Sequence, residues 1–169
     1  MTNKVSNTGV VASDTTGVGT ARSGLAAAGY GTDKAIFGYG TDGTMTNLVS
    51  NTGVVATDTT GVGTYRPYLA AAGYGSDKAI FGYGDGNKSM TNLVSNTGVV
   101  ATDTTGVGTG RSFLAAAGYG TDKAIFGYGA VSGANTAITN LVSNTGVVAT
   151  DTAGVGTTRQ QLAAASYGS

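Results

Sequence analysis

Three Asp-Lys pairs, Asp33-Lys34, Asp77-Lys78 and Asp122-Lys123, set a carboxylate beside an ammonium, the pairing that a general acid and base would use. They stand at the same place in three copies of the phrase DKAIFGYG, and one active site needs an asymmetry that repeated positions lack. They read as turn residues. Asp42-Gly43 and Asp85-Gly86-Asn87 offer oxygen donors of the kind that hold calcium, but an EF-hand loop closes on a glutamate and the chain has none. GYGTDK has the glycines of a phosphate cradle without the spacing of one or a helix to follow it. With no histidine, cysteine or tryptophan either, the expectation is a chain with no catalytic residues, no metal site and no cofactor.

The 169 residues carry nine basic and nine acidic side chains, so no charged footprint favours nucleic acid or an anionic membrane. No apolar run approaches the length of a membrane span, and MTNKVSNTGVV opens directly on repeat sequence with no apolar signal region. Thirty glycines and a low charged fraction leave the core to alanine, valine and tyrosine.

What positions these residues is a repeat. Val5, Val49, Val94 and Val142 open four VSNTGVV copies, giving a period of 44 to 48 residues, the length of one four-stranded propeller blade. Repeats are expected at about 1–44, 45–89, 90–136 and 137–169. Each full copy reads as four short strands: a (around 23–29), b (34–40), c (46–50) and d (54–59), punctuated by Gly-Tyr-Gly-Thr-Asp and Asn-Thr-Gly turns. LAAA alone would suit a helix, but glycine ends it after a few residues. The recurring tyrosines at 30, 39, 74, 83, 119, 128 and 167 are expected to pack between repeats. A β-solenoid with one rung per repeat is the alternative architecture.

The order Arg, small strand, glycine turn, DKAIFGYG, variable loop, TNLVS, NTG turn, VVATDTTG resembles the kelch-type repeat over essentially the whole chain, except that 54–57 carries no aromatic residue. The wording also resembles repeat-rich proteins of bacteriophage virions and metagenomic sequences. The resemblance implies an all-β propeller of about four blades, with the alanine-rich strands crowded at the centre. Strands run c-d, then a-b-c-d three times, then a at 162–167, so the last blade lacks its b strand. Completion by the N-terminal strands, by a second copy, by a different chain or by a missing downstream segment is expected, which favours a homo-oligomer or an assembly with another chain over a self-contained monomer.

The copies differ chiefly in two places, and the turns between a and b and between c and d hardly change. Residues 21–24 read ARSG, against YRPY, GRSF and TRQQ, and the b–c loops read TDGTM at 41–45, DGNKSM at 85–90 and AVSGANTAI at 130–138. Strand alternation puts the d–a and b–c connections at the same end, so all the variation should share one face, as in a recognition surface on a fixed scaffold. Tyr65, Tyr68, Phe113, Gln160, Gln161, Asp42, Asp85 and Asn87 are the candidate ligand-binding residues, since flat rings and hydrogen-bonding groups suit sugars and protein hot spots. Arg22, Arg66, Arg111 and Arg159 are assigned instead to the scaffold, where a buried guanidinium ties neighbouring repeats together. The expected function is a non-enzymatic structural and attachment module of a virion or extracellular surface, facing a glycan or protein receptor. A propeller lectin with one sugar site per blade is the alternative.

Overall fold

The computed structural model describes residues 1–166 of the chain; Tyr167, the last of the recurring tyrosines, lies outside them. Among the described residues the regular structure is entirely β. Three antiparallel sheets repeat one pattern. β1 (Ala26–Tyr30), β2 (Lys34–Gly38) and β3 (Thr46–Val49) form the first, in chain order; β4 (Ala70–Tyr74), β5 (Lys78–Gly82) and β6 (Thr91–Val94) the second. The third contains β7 (Ala115–Tyr119), β8 (Lys123–Gly127) and β11 (Thr139–Val142), with a small hairpin of β9 (Ala130–Val131) and β10 (Ala134–Asn135) inserted before the last strand.

The alanine runs are strands, not helical turns. Ala26 to Tyr30 pair residue by residue with Gly38 to Lys34, and the same register recurs in the other two sheets. Ladder pairing overrides the helix preference of alanine in so short a run. β1 lies against β4 and β4 against β7, so the small residues bring the three sheets together along their inner strands. A Cβ on Gly73 would sit 3.5 Å from the Gly29 carbonyl oxygen, and one on Gly118 3.5 Å from that of Gly73.

The fourth segment of each repeat departs from the expected strand. It joins its sheet through two isolated bridges, Val49 to Val55 and Thr46 to Thr59 in the first repeat, and equivalent pairs recur in the others. One more residue separates Val55 from Thr59 than separates Thr46 from Val49, so the segment bulges and the ladder breaks. The Asn47 side chain fills the break, donating to the Ala56 carbonyl at 3.1 Å. Residues 2–15 form the same two-bridge ribbon, with Thr2 opposite Thr15 and Val5 opposite Val11. Residues 162–166, expected with Tyr167 as a further inner strand, do not form a strand; the Ser166 hydroxyl is 3.3 Å from where a Gly118 Cβ would be.

Two core clusters fill the gaps between sheets, one around Ile36, Tyr39 and Phe81, the other around Ile80, Tyr83 and Phe126. The joint is a ring on a glycine. A Cβ on Gly38 would meet Phe81 at 2.7 Å and one on Gly82 would meet Phe126 at 2.6 Å, so only glycine lets the next sheet's ring settle. Each ring also meets edge-on the tyrosine that follows that glycine in the preceding sheet: Phe81 and Tyr39 at 5.2 Å between centroids, Phe126 and Tyr83 at 5.1 Å. The tyrosines after β2 and β5 therefore pack between repeats.

Candidate functional site

The connection into each inner strand carries the repeated arginine, and the sheets hold it in a polar clamp. Arg66 is fully buried. Its guanidinium lies 4.5 Å above the Tyr39 ring of the preceding repeat, donates to the Asn92 side-chain oxygen and to the Thr64 carbonyl at 3.2 Å, and stands 3.5 Å from Asp103. Arg111 is buried equally, 4.3 Å over Tyr83, and donates likewise to the Thr109 carbonyl at 3.1 Å, with a further bond to the Tyr128 carbonyl at 2.8 Å. Arg22 donates to Asn47 and pairs with Asp58 at 3.5 Å. Burial lowers the Arg66 and Arg111 pKa values and raises those of the Tyr39 and Tyr83 phenols beneath them; the Tyr39 phenol is pushed up to about 12. Arg22, Arg66 and Arg111 are positions of architecture, as the sequence suggested, whereas Arg159, assigned with them to a buried scaffold, is exposed, its guanidinium 3.9 Å over the Tyr128 ring and donating to the Thr157 carbonyl at 3.3 Å.

The asparagine and aspartate of the clamp were not singled out in the sequence. Asn47, Asn92 and Asn140 each donate to the aspartate eleven residues on, at 2.8 to 2.9 Å, and Asn3 does the same to Asp14. The visible signal was an asparagine and an aspartate at fixed places in all four TNLVS-type and ATD-type phrases. Each of Asp58, Asp103 and Asp151 also accepts the N–H and hydroxyl of a threonine in the connection, Thr20, Thr64 and Thr109. Hydrogen bonds from Asn47 and Thr20 hold the Asp58 carboxyl down to about 2. At Asp103 and Asp151 burial pushes upward, and the bonds from the threonine and asparagine outweigh it, leaving both lowered.

A carboxyl lowered in the fold contributes stability in full above its ordinary value near about 3.9 and loses it as pH falls through the folded value. The melting temperature is therefore expected to hold steady down to about pH 4 and to fall between about pH 4 and 2. In the Asp58→Asn variant the fall over that window should be shallower, which a series of thermal melts against pH would read directly. A profile identical to the wild type would remove Asp58 from the acid response.

The two variable segments meet at one end of the sheets, as their strand directions required. Thr41 N–H donates to Ser23 O at 2.9 Å, Asp85 N–H to Pro67 O at 2.8 Å, and Ser112 and Ala130 exchange bonds at 2.8 and 3.0 Å. The candidate residues divide into two groups there. Tyr68, Phe113 and Gln161 form a row with Gly24: Tyr68 N–H donates to Gly24 O at 2.8 Å, Phe113 N–H to Tyr68 O at 3.0 Å, and Gln161 N–H to Phe113 O at 2.9 Å. All four have φ between 55° and 61°, a left-handed conformation that aromatic residues rarely adopt. The Tyr68 and Phe113 rings stack at 4.4 Å, which covers one face of each, and the Tyr68 ring lies close to Gly24.

Farther out lie the loop residues. Tyr65 is 48% exposed, and its phenol donates to the Thr41 carbonyl at 2.9 Å; the next residue, Asp42, is exposed, and its carboxylate accepts from the Thr41 hydroxyl at 3.1 Å. Asp85 is exposed; its carbonyl accepts from the Lys88 ammonium at 3.2 Å. Asn87 spends its side chain on the next loop, donating to the Ser132 hydroxyl at 2.9 Å and accepting the Ser132 N–H at 3.2 Å. Ser132 and Gly133 form the positive-φ tip of the β9–β10 hairpin, so the longest variable loop is an ordered one. Gln160 is half-buried in the last connection. Among these residues Tyr65 with Asp42 is the pair that offers both a ring face and a carboxylate to solvent.

No known protein family matches the chain, and no curated protein compared with it is similar in sequence. Among solved structures, a fungal alcohol oxidase of the AA5 family, solved in complex with copper, is similar at a TM-score of 0.50 and 15% identity over 70% of this chain. The matched part is 28% of that oxidase, so the likeness is one of fold over a limited portion. Copper favours imidazole and thiolate donors, and this chain contains neither histidine nor cysteine.

Proposed function

We propose that the chain is a run of kelch-like β-propeller blades serving as a non-catalytic attachment module, with the variable end as its recognition face. The observation that carries the reading is the meeting of both variable segments at one end of three otherwise equivalent sheets, through the 23–41, 67–85 and 112–130 contacts. The propeller reading rests on the side-by-side inner strands β1, β4 and β7 and on the ring-on-glycine joints, which turn each sheet face to face with the next. Display on a virion or an extracellular surface suits such a module, because a constant scaffold with variable loops lets binding change without refolding.

Tyr65 and Asp42 form the contact point for a glycan or protein receptor. The ring takes up an apolar sugar or side-chain face and the carboxylate accepts from hydroxyl or amide groups. Their counterparts in the other repeats differ in type, so the face is one asymmetric site rather than one equivalent sugar site per blade. Labelled protein applied to a glycan array and to intact cells tests this. The double variant Asp42→Ala, Tyr65→Ala should lose at least about tenfold in binding, or about 1.4 kcal/mol, with an unchanged melting temperature. Equal binding by this variant and by Tyr68→Ala, Phe113→Ala would overturn the recognition-face reading.

A further inference from the structure

The joints between sheets share one tyrosine socket. The Tyr39 ring lies under Arg66, meets Phe81 edge-on and shares a core cluster with Leu69, and its hydroxyl donates to the Val62 carbonyl at 3.1 Å. Tyr83 repeats each contact with Arg111, Phe126, Leu114 and the Val107 carbonyl, the last at 3.2 Å. The counterparts in the first repeat are Val18, Arg22, Leu25 and Phe37, and all four border one cavity of about 600 Å³. Among the described residues no tyrosine lines this cavity, and Arg22 lies over no aromatic ring. Burial follows the same division: Leu69, Leu114, Phe81 and Phe126 are buried, whereas Leu25 and Phe37 are half-buried.

An unpaired strand edge runs beside the socket. In the first sheet Phe37 faces Asn47 and Ala35 faces Val49 across the ladder, and the Tyr39 N–H donates to Met45 O at 3.0 Å. Met1, Asn3 and Val5 are the counterparts of Met45, Asn47 and Val49 in the N-terminal ribbon. The ribbon closes on itself through the backbone of Thr2, Lys4 and Ser6, and the backbone groups of Asn3 and Val5 have no partner among the described residues. Val5 is accordingly 64% exposed, while Val94 and Val142 at the same place are wholly buried. Lys4 ties the ribbon to the first sheet, its ammonium donating to the Thr52 carbonyl at 2.9 Å, and Met1, Thr2 and Lys4 border the cavity.

An open edge is a template for strand addition, in which main-chain bonds bind and side-chain pockets select. The other two joints state what sequence fits. Gly38 and Gly82 lie under Phe81 and Phe126 with no room for a Cβ, and each is followed by the tyrosine of the socket. A folded second copy has no such strand to give, because β2, β5 and β8 are each the middle strand of their sheet. We propose that the cavity and the edge at residues 1–5 bind an extended segment of a separate polypeptide carrying Phe-Gly-Tyr. The segment adds antiparallel to the ribbon, with its glycine under Phe37 and its tyrosine beneath Arg22. The site shares no residue with Tyr65 and Asp42 and does not depend on the receptor reading.

The probe is a fluorescein-labelled peptide of sequence DKAIFGYG, titrated with the whole chain and followed by anisotropy. Saturable one-to-one binding is expected. Alanine in place of the peptide tyrosine, or valine in place of the glycine before it, should weaken binding at least about tenfold. Val5→Pro removes the unpartnered N–H of the edge and keeps the Lys4 and Ser6 bonds of the ribbon. It should weaken binding to a similar degree with little change in melting temperature. Phe37→Ala takes away the ring over the glycine, so the valine peptide should lose much less against this variant than against the wild type. A general loss of stability would leave that ratio unchanged. Binding that does not saturate, equal binding of the alanine peptide, unchanged affinity in Val5→Pro, or the same valine penalty in Phe37→Ala would each overturn the proposal. So would a dimer of the chain, seen by light scattering, that excludes the peptide, since it would assign the cavity to a second copy.

Discussion

Arg66→Ala is expected to lower the unfolding free energy by about 3–5 kcal/mol, the usual cost of removing one partner from a buried charged cluster. Three losses combine at this position. The Asn92 side-chain oxygen and the Asp103 carboxylate lose a cationic donor, and the Tyr39 ring of the preceding sheet loses the guanidinium 4.5 Å above it. A space the size of an arginine also opens between two sheets. Arg66→Lys should recover only part of the loss, since an ammonium cannot lie flat on the ring while reaching both Asn92 and the Thr64 carbonyl. Urea denaturation of the two variants gives the comparison. A cost below about 1 kcal/mol for the alanine variant, in the range of an exposed ion pair, would mean that the clamp does not hold the sheets together.

Phe126→Ala is expected to cost about 3–5 kcal/mol, the range for truncating a buried aromatic ring. The ring is wholly buried, rests on Gly82 of the sheet before it and meets Tyr83 edge-on. Its loss empties the joint between the second and third sheets. Phe37 provides the control inside the same molecule, because it has the same neighbours in sequence and is only half-buried, bordering the groove beneath the N-terminal ribbon. Phe37→Ala should therefore cost clearly less than Phe126→Ala in the same urea series. Equal costs would show that burial within one sheet, not the seat on the neighbouring glycine, sets the stability.

The contrast between Phe37 and Phe126 also marks how far the sequence could be read. Both lie in the same KAIFG phrase, so the phrase gives the strand and its pairing but not which copy is covered. The period of 44 to 48 residues led to three sheets starting at Ala26, Ala70 and Ala115, and strand alternation brought residues 23 and 41, 67 and 85, 112 and 130 to the same end. The scaffold role of the arginines was legible because an arginine unchanged amid changing neighbours has a partner that does not change.

Other features left little trace. The bulge in the fourth segment depends on an offset of one residue between Thr46–Val49 and Val55–Thr59, and alternating β-branched residues look alike in either register. The left-handed backbone of Tyr68, Phe113 and Gln161 had one clue, the glycine at the equivalent position 24, because glycine is the residue that adopts positive φ without cost. Stacking of Tyr68 on Phe113 was hidden altogether, since it joins two variable positions whose spacing along the chain says nothing of their distance in space.

Most of the joints between sheets use residue types common to every copy: phenylalanine on glycine, arginine on tyrosine, and the Gly31 and Gly75 N–H groups on the carbonyls of Asp77 and Asp122 at 2.7 Å. The residues that differ are concentrated away from these joints. One copy is thus interchangeable with another at its seams, and a duplication, deletion or shuffling of whole copies within the gene would leave each seam chemically intact while rearranging the order of the loops. A lineage carrying such a chain can reorder its variable loops by recombination of modules, without first acquiring a compensating mutation in the framework.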